Sequence, residues 1–205
     1  LRVAASMTVA EYLVPRWLAD FRRSHPGVDA ELTVTNSDHV GEALREGTAD
    51  VGFIETSRVP HGPHWTPIGR DRLVVVVAPG HPWTRRRRPL TAQELAATAL
   101  VVREEGSGTR RTLHDACADA GLALAAPAQE LASNAAVRIS AMAGTAPAVL
   151  SELAVREQVE SGSLVAVRVD GIDLGRILRA GWMGGSSPIG QASDLIAIAT
   201  RQDRR

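Results

Sequence analysis

LRVAASMTVAEYLVPRWLADFRRSHPGVDAELTV, residues 1–34, is the stretch from which the fold is read. Leu1 to Ala5 is largely apolar and predicts a strand. Val9, Leu13, Trp17, Leu18 and Phe21 recur mostly three or four apart, the spacing of one helix face. Ser6-Met7-Thr8 is the turn between them, and Thr8 with Glu11 has the spacing of a capping box. Pro15 lacks a donor and clashes one turn back, which predicts a kink or a helix that starts near it. His25-Pro26-Gly27 stops the helix, and Val28, Ala30, Leu32 and Val34 alternate as a half-buried strand. Strand, helix, strand in this order is a parallel unit with a right-handed crossover.

Moving outward, a second helix is expected from about Ser37 to Glu46, with Val40 and Leu44 inward, followed by a buried strand at Val51-Gly52-Phe53-Ile54. A loop from Thr56 to Pro67 leads to Leu73-Val74-Val75-Val76-Val77-Ala78, the most strand-like run in the chain, which Pro79-Gly80-His81-Pro82 breaks. Arg85 to Arg88 follow in a Pro-bounded loop and read as solvated surface. Thr91 and Glu94 repeat the capping-box spacing. From Ala99 the pattern restarts, with strands at Leu100–Val102, Ala128–Leu131, Ala146–Leu150 and Leu164–Val169. Helices are expected through Leu113 and Cys117, through Val137, Ile139 and Met142, and over Ser151–Glu160. An extended run at Arg176–Trp182 and a closing helix over Ile189–Thr200, with Leu195, Ile196 and Ala199 inward, complete an alternating α/β chain. Two sheets are favoured over one, because the valine run near residue 75 is long enough to leave one lobe and enter another.

The chain has 205 residues, 44% hydrophobic and 22% charged, which allows one large domain or two lobes of roughly 100 residues each. Its 23 acidic residues balance 23 basic ones, all of them arginine. Without lysine there is no P-loop and no Schiff-base enzyme. A neutral chain also lacks the cationic footprint that duplex DNA demands. One cysteine, Cys117, excludes an intrachain disulfide and favours a reducing compartment. No apolar run approaches the ~20 residues that span a bilayer. The chain opens with neither Met nor a signal-peptide pattern, and a fragment of something longer is expected.

Three turns, each between a strand and a helix, can present backbone N–H groups to an anion: Ser6-Met7-Thr8, Gly106-Ser107-Gly108-Thr109 and Ser133-Asn134. Taken singly, Ser, Thr and Asn at such places cap their own helices. Taken together, they fall where open α/β sheets bind ligands, at the carboxyl ends of strands. Enzymatic readings are weaker. Ser107 lacks the nucleophile elbow and has no base brought to it by His114 on the same helix. His61 and His64 have no evident third ligand for a metal. Glu104 and Glu105 are directed apart, and Cys117 has core spacing.

The order of motifs resembles the effector-binding, or substrate-binding, domain of LysR-type transcriptional regulators. The resemblance is carried by Leu1–Ser6 with Tyr12-Leu13-Val14-Pro15 and Phe21…His25-Pro26, by Leu44…Gly47…Ala49-Asp50-Val51-Gly52-Phe53, and by Leu73 to His81-Pro82. It continues through Asn134…Val137…Met142-Ala143-Gly144 and Gly162-Ser163-Leu164-Val165, and so runs from end to end.

It implies an α/β, two-lobed, type-2 periplasmic-binding-protein-like fold in which each lobe is a mostly parallel sheet flanked by helices, with two crossover segments. Residues 1–75 and 176–205 would be lobe I and 76–175 lobe II. An N-terminal winged helix-turn-helix, absent from this chain, would bind the DNA. A cytoplasmic homodimer or tetramer is implied, with the Trp17 and Phe21 helix of one subunit near the Leu113 and Cys117 helix of the other. The protein would be no enzyme and would need no cofactor and no metal. It would sense a small anionic metabolite in the interlobe cleft; the alternative is a solute-binding protein of a transport system. By the resemblance, effector contacts fall on Ser6, Met7, Thr8, Glu55, Thr56, Gly106, Ser107, Gly108, Thr109, Ser133 and Asn134. Glu55 departs from the family pattern, since a carboxylate there repels an anion unless Arg103 or Arg110 pairs with it.

Overall fold

The computed structural model describes residues 1–202 and divides into two compact units. Unit 1 comprises residues 1–70, 106–108 and the chain from 176 on; unit 2 comprises 71–105 and 109–175. Residues 203–205, at the end of the expected lobe I, lie outside the described residues. The crossings fall at 70/71 and 175/176, with a short excursion at 106–108 that separates those three residues from the rest of the expected lobe II.

In chain order, unit 1 opens with β1 (Arg2–Ser6), α1 (Met7–Tyr12), α2 (Val14–Ser24), β2 (Glu31–Thr35), α3 (Ser37–Arg45) and β3 (Val51–Glu55). The long β4 (His64–Val77) then carries the chain into unit 2. There follow a 3-10 turn (Pro82–Arg85), β5 (Leu90–Thr91), α4 (Ala92–Ala96), β6 (Val101–Arg103), α5 (Gly108–Asp119), β7 (Gln129–Leu131) and α6 (Asn134–Met142). The remaining elements are β8 (Ala148–Ser151), α7 (Glu152–Glu160), β9 (Val165–Val167), β10 (Val169–Asp170), β11 (Gly175–Trp182) and α8 (Gly190–Gln202).

Pro15 occupies the first turn of α2, where its missing N–H costs nothing, and the expected long helix is therefore two, parted at Leu13. In unit 1, β1 pairs in parallel with β2 and β3, and β11 runs antiparallel to β3, with Leu178 opposite Glu55. Alternation along β1 sends Val3 and Ala5 to one face and Ala4 to the other. Val3 and Ala5 join a core with Val9, Trp17, Phe21, Phe53 and Leu195. Ala4 meets Val40, Leu44 and Ile54 on the opposite face. Trp17 and Phe53 lie tilted, with ring centroids 5.0 Å apart. Both faces of the sheet are thus covered by helices, as parallel strands require.

Unit 2 repeats the plan: β6 pairs in parallel with β7 and β8, and β4 runs antiparallel to β8 and β9. Both sheets are mixed rather than mostly parallel, because the segments that cross between units return antiparallel. Leu73, Val75, Leu95, Val102, Leu113, Cys117 and Val149 form its core, and burial pushes the Cys117 thiol pKa up. No helix among the described residues is long and apolar enough to cross a membrane.

Several local expectations need correction. β4 begins at His64, inside the expected loop, because strand neighbours stabilise a polar stretch that has no apolar alternation of its own. Val34 is largely exposed, β2 being at the sheet edge. The run 164–169 is broken at Arg168 into β9 and β10. Ile139 and Met142 sit on the exposed side of α6, while Val137 faces inward.

The Thr91–Glu94 capping box is present in both directions. Glu94 also accepts from Arg86 at 2.7 Å and Arg88 at 3.0 Å, and its carboxyl, ordinarily near 4.5, is lowered to about 2. The backbone N–H of Thr91 is the main cause and Arg86 the next. Between these two values the unfolded chain binds the extra proton, so the stabilisation is fully present above about 4.5 and is lost as pH falls through about 2. Thermal unfolding of wild type and Glu94→Gln should accordingly differ most at neutral pH and converge as the pH approaches the lower value.

Candidate functional site

The pairing of unit 1 brings the C-terminal ends of β1, β2 and β3 to the same edge as the start of β11, since Ser6 aligns with Thr35 and Ala5 with Phe53. Ser6 is the residue before α1, and its hydroxyl is not spent on a cap. It donates to the Glu55 carboxylate and lies 3.3 Å from the Phe53 carbonyl oxygen. Thr8 is the second residue of α1 and fully buried. The expected capping box with Glu11 is therefore absent, and the Thr8 hydroxyl instead accepts from Arg176 Nη2 at 3.4 Å. Met7, the first residue of α1, is half-buried.

Arg176 is the residue that the reading from sequence missed. Its guanidinium is completely buried and stands 4.0 Å from the Glu55 carboxylate, itself 2% exposed. The signal was present: Arg176, Leu178, Ala180 and Trp182 alternate along β11 and all are buried, which places an arginine in the inward phase of a core strand. The expected partners of Glu55 are corrected accordingly. Arg103 lies in unit 2 and pairs with Glu104 at 2.8 Å and with Asn134 at 2.7 Å. Arg110, also in unit 2, pairs with Glu130.

Thr56 follows β3. Its carbonyl accepts from Arg179 Nη1 at 3.0 Å, and burial lowers the pKa of that guanidinium. The Thr56 hydroxyl is buried with no hydrogen-bond partner among the described residues. A buried orphan hydroxyl is uncommon in a native structure and calls for an explanation.

The turn Gly106-Ser107-Gly108 packs within unit 1 against Asn36, Ser37 and Glu55. A Cβ on Gly108 would lie 1.6 Å from the Glu55 carbonyl oxygen, which also accepts from the Ser37 hydroxyl at 3.3 Å. Gly106 has φ +83° and would press a Cβ on the Asn36 amide. Ser107 is buried. Ser6, Met7, Thr8, Glu55, Thr56 and Gly106–Gly108 are thus all in unit 1.

Thr109, Ser133 and Asn134 belong to unit 2. Thr109 is buried near the start of α5. Ser133 is half-buried and caps α6 by accepting from the Ala136 N–H at 3.1 Å. Asn134 is fully buried, and its side-chain oxygen accepts from Arg103. In this unit β6 and β7 run in parallel with Arg103 opposite Leu131, which sets their C-terminal ends side by side.

His64 stacks on Trp182 with ring centroids 5.8 Å apart, and the His61 carbonyl accepts from Arg45. His114 sits 3.4 Å from Asp115. Among the described residues no three His, Cys, Asp or Glu side chains form a group able to hold a metal ion.

Two outcomes follow from this geometry. Arg176→Met leaves Glu55 buried without its guanidinium and should cost about 3–5 kcal/mol in urea unfolding, most of it recovered in Arg176→Met/Glu55→Met. Gly108→Ala must push the turn off Glu55, at a cost of about 1–3 kcal/mol or more, and should speed amide hydrogen exchange at residues 106–109.

Residues 1–204 match the LysR substrate binding domain family. The chain is 44% identical over 209 residues to the uncharacterized HTH-type transcriptional regulator Rv2282c of Mycobacterium tuberculosis (strain ATCC 25618 / H37Rv), across 98% of this chain and 67% of that protein. It thus spans about two thirds of that regulator's length. The regulatory domain of CcmR from Synechocystis PCC6803, solved in complex with 2-PG, superposes with a TM-score of 0.86 at 22% identity, covering 100% of this chain and 97% of that one. The effector binding domain of QuiR in complex with shikimate gives 0.84 at 13% identity, covering 100% and 96%. At these identities the likeness is one of fold. With the mixed-sheet α/β units above it is the type-2 periplasmic-binding-protein-like fold. The chain belongs to the LysR family of transcriptional regulators, of which residues 1–204 are the substrate-binding domain.

Proposed function

We propose that this domain is a non-catalytic sensor that binds a small anionic metabolite through Ser6, Met7, Thr8, Glu55, Thr56 and the Gly106–Gly108 turn. Thr109, Ser133 and Asn134 of unit 2 form the second proposed set of contacts. The observation that carries the reading is the polar cluster at the carboxyl ends of the parallel strands of unit 1, where a hydroxyl, that of Thr56, is buried without a partner. A ligand oxygen would satisfy it. Arg176 compensates the charge of Glu55, which removes the objection that a lone carboxylate would repel an anion. The shikimate held by QuiR is itself a carboxylate, a related domain with a ligand of the proposed class.

An effector acts only through its differential affinity for two states of the domain. The sensor would work as a cytoplasmic homodimer or tetramer, and its repacking would re-space winged helix-turn-helix domains carried elsewhere in the regulator.

A thermal-shift screen of small carboxylates, phosphate esters and sulfate on the 205-residue chain is the direct test, since a ligand of the native state raises its melting temperature. For a compound that shifts it, calorimetry should show Ser6→Ala, Thr56→Val and Thr109→Ala each binding about tenfold more weakly, one lost hydrogen bond to an anion apiece. Thr56→Val should leave the stability of the unliganded protein unchanged or raised, because it removes an unsatisfied hydroxyl. Equal affinity in all three variants would refute the proposed site.

A further inference from the structure

Of the four consecutive arginines, read from sequence as plain surface, Arg86, Arg87 and Arg88 line a groove of unit 2 together with a fifth, Arg168. Backbone bonds fix this juxtaposition. The Leu90 N–H donates to the Arg168 carbonyl at 2.9 Å, and β5 pairs in parallel with β10 through Leu90–Val169 and Thr91–Asp170. Between the 82–89 segment and β9 lies a groove of about 220 Å3, whose walls include Trp83, Arg86, Arg87, Arg88, Val167 and Arg168.

The charge balance of the groove is uneven. Glu94 binds both Arg86 and Arg88, so one carboxylate answers two guanidiniums. Arg87 and Arg168 make no ion pair among the described residues. Glu94 is itself held by the Thr91 N–H at 2.9 Å, and it therefore positions the two arginines. Each guanidinium carries five donors in a planar fork, and the hydrogen bonds to Glu94 use only part of that set. The chain as a whole is neutral, so this concentration of positive charge is local.

We infer that the groove between Arg86–Arg88 and Arg168 is a second anion site, which takes the phosphoryl group of a small phosphate ester. Forked guanidiniums match phosphate oxygens in pairs, which is the chemistry for which arginine is preferred. The groove is smaller than the ~300–1,000 Å3 of drug-sized pockets, which suits one phosphoryl group with a small substituent. Duplex DNA needs a broad surface that meets several phosphates, and the neutral chain argues against it. This site lies in unit 2 and does not depend on the reading of Ser6 and Thr56 in unit 1.

The test is a titration of the 205-residue chain with inorganic phosphate at constant ionic strength, followed by amide 1H–15N spectra, with sodium chloride as the matched control. Saturable shifts are expected at residues 84–90 and 165–169. In Arg87→Gln/Arg168→Gln, both exposed positions, phosphate binding should weaken at least about tenfold. Arg16→Gln/Arg22→Gln, on exposed positions of α2, should bind phosphate as wild type does. Identical shifts with chloride, or unchanged binding in the Arg87→Gln/Arg168→Gln variant, would overturn the assignment. Binding of a short DNA duplex that is lost in this variant, without saturable phosphate binding, would overturn it in favour of a nucleic-acid backbone.

Discussion

A carboxylate and a guanidinium buried together, Glu55 and Arg176, set the terms for unit 1. Taking either charge out of water alone costs several kcal/mol, and only close pairing with further hydrogen bonds offsets it. Here the offset is distributed. Ser6 donates to the carboxylate, Thr8 accepts from the guanidinium, and the two charged residues come from adjacent antiparallel strands, β3 and β11. The pair therefore forms only when the first strands of the chain and its late return are assembled together. A residue late in the sequence completes a cluster begun in the first ten residues, which makes the integrity of the site a property of the whole unit.

Under the proposed function, the same pair would shape what the cluster recognises. An isolated Glu55 would repel anions, and an isolated Arg176 would bind them indiscriminately. Together they are neutral, which leaves selection to hydroxyls and to the shape of the surroundings. Thr56, with a buried hydroxyl that meets no partner, and the Gly106–Gly108 turn, where even one added carbon collides with backbone, are the two features in which this selectivity would reside. Natural sequences break local rules of this kind mainly where function asks for it.

Much of the fold was legible in the sequence because it follows from period and punctuation. The helix face from Val9 to Phe21, the inward residues Val40 and Leu44, the cap formed by Thr91 and Glu94, and the closing helix with Leu195, Ile196 and Ala199 inward are where their spacing puts them. Pro15 also behaves as its chemistry demands, by opening a helix. The start of β4 was not legible, since His64 to Arg72 has neither alternation nor β-branched enrichment and is extended as part of a strand whose pairing partners are distant in sequence. Thr8 has the spacing of a cap but not its role, because the helix starts one residue before it and its hydroxyl goes to an arginine distant in sequence.

Residue pattern by itself determined the alternating α/β class, the two lobes, the absence of lysine chemistry and the family order of motifs, all of which depend on local periodicity and composition. Tertiary structure alone decided which charges meet. That Glu55 takes Arg176 rather than Arg103 or Arg110, that residues 106–108 pack with unit 1, and that Arg168 faces the arginine run are outcomes of strand pairing between distant segments. The reason is physical: periodicity is set by neighbours a few residues away, whereas an ion pair is set by register, and register exists only once the sheet has formed.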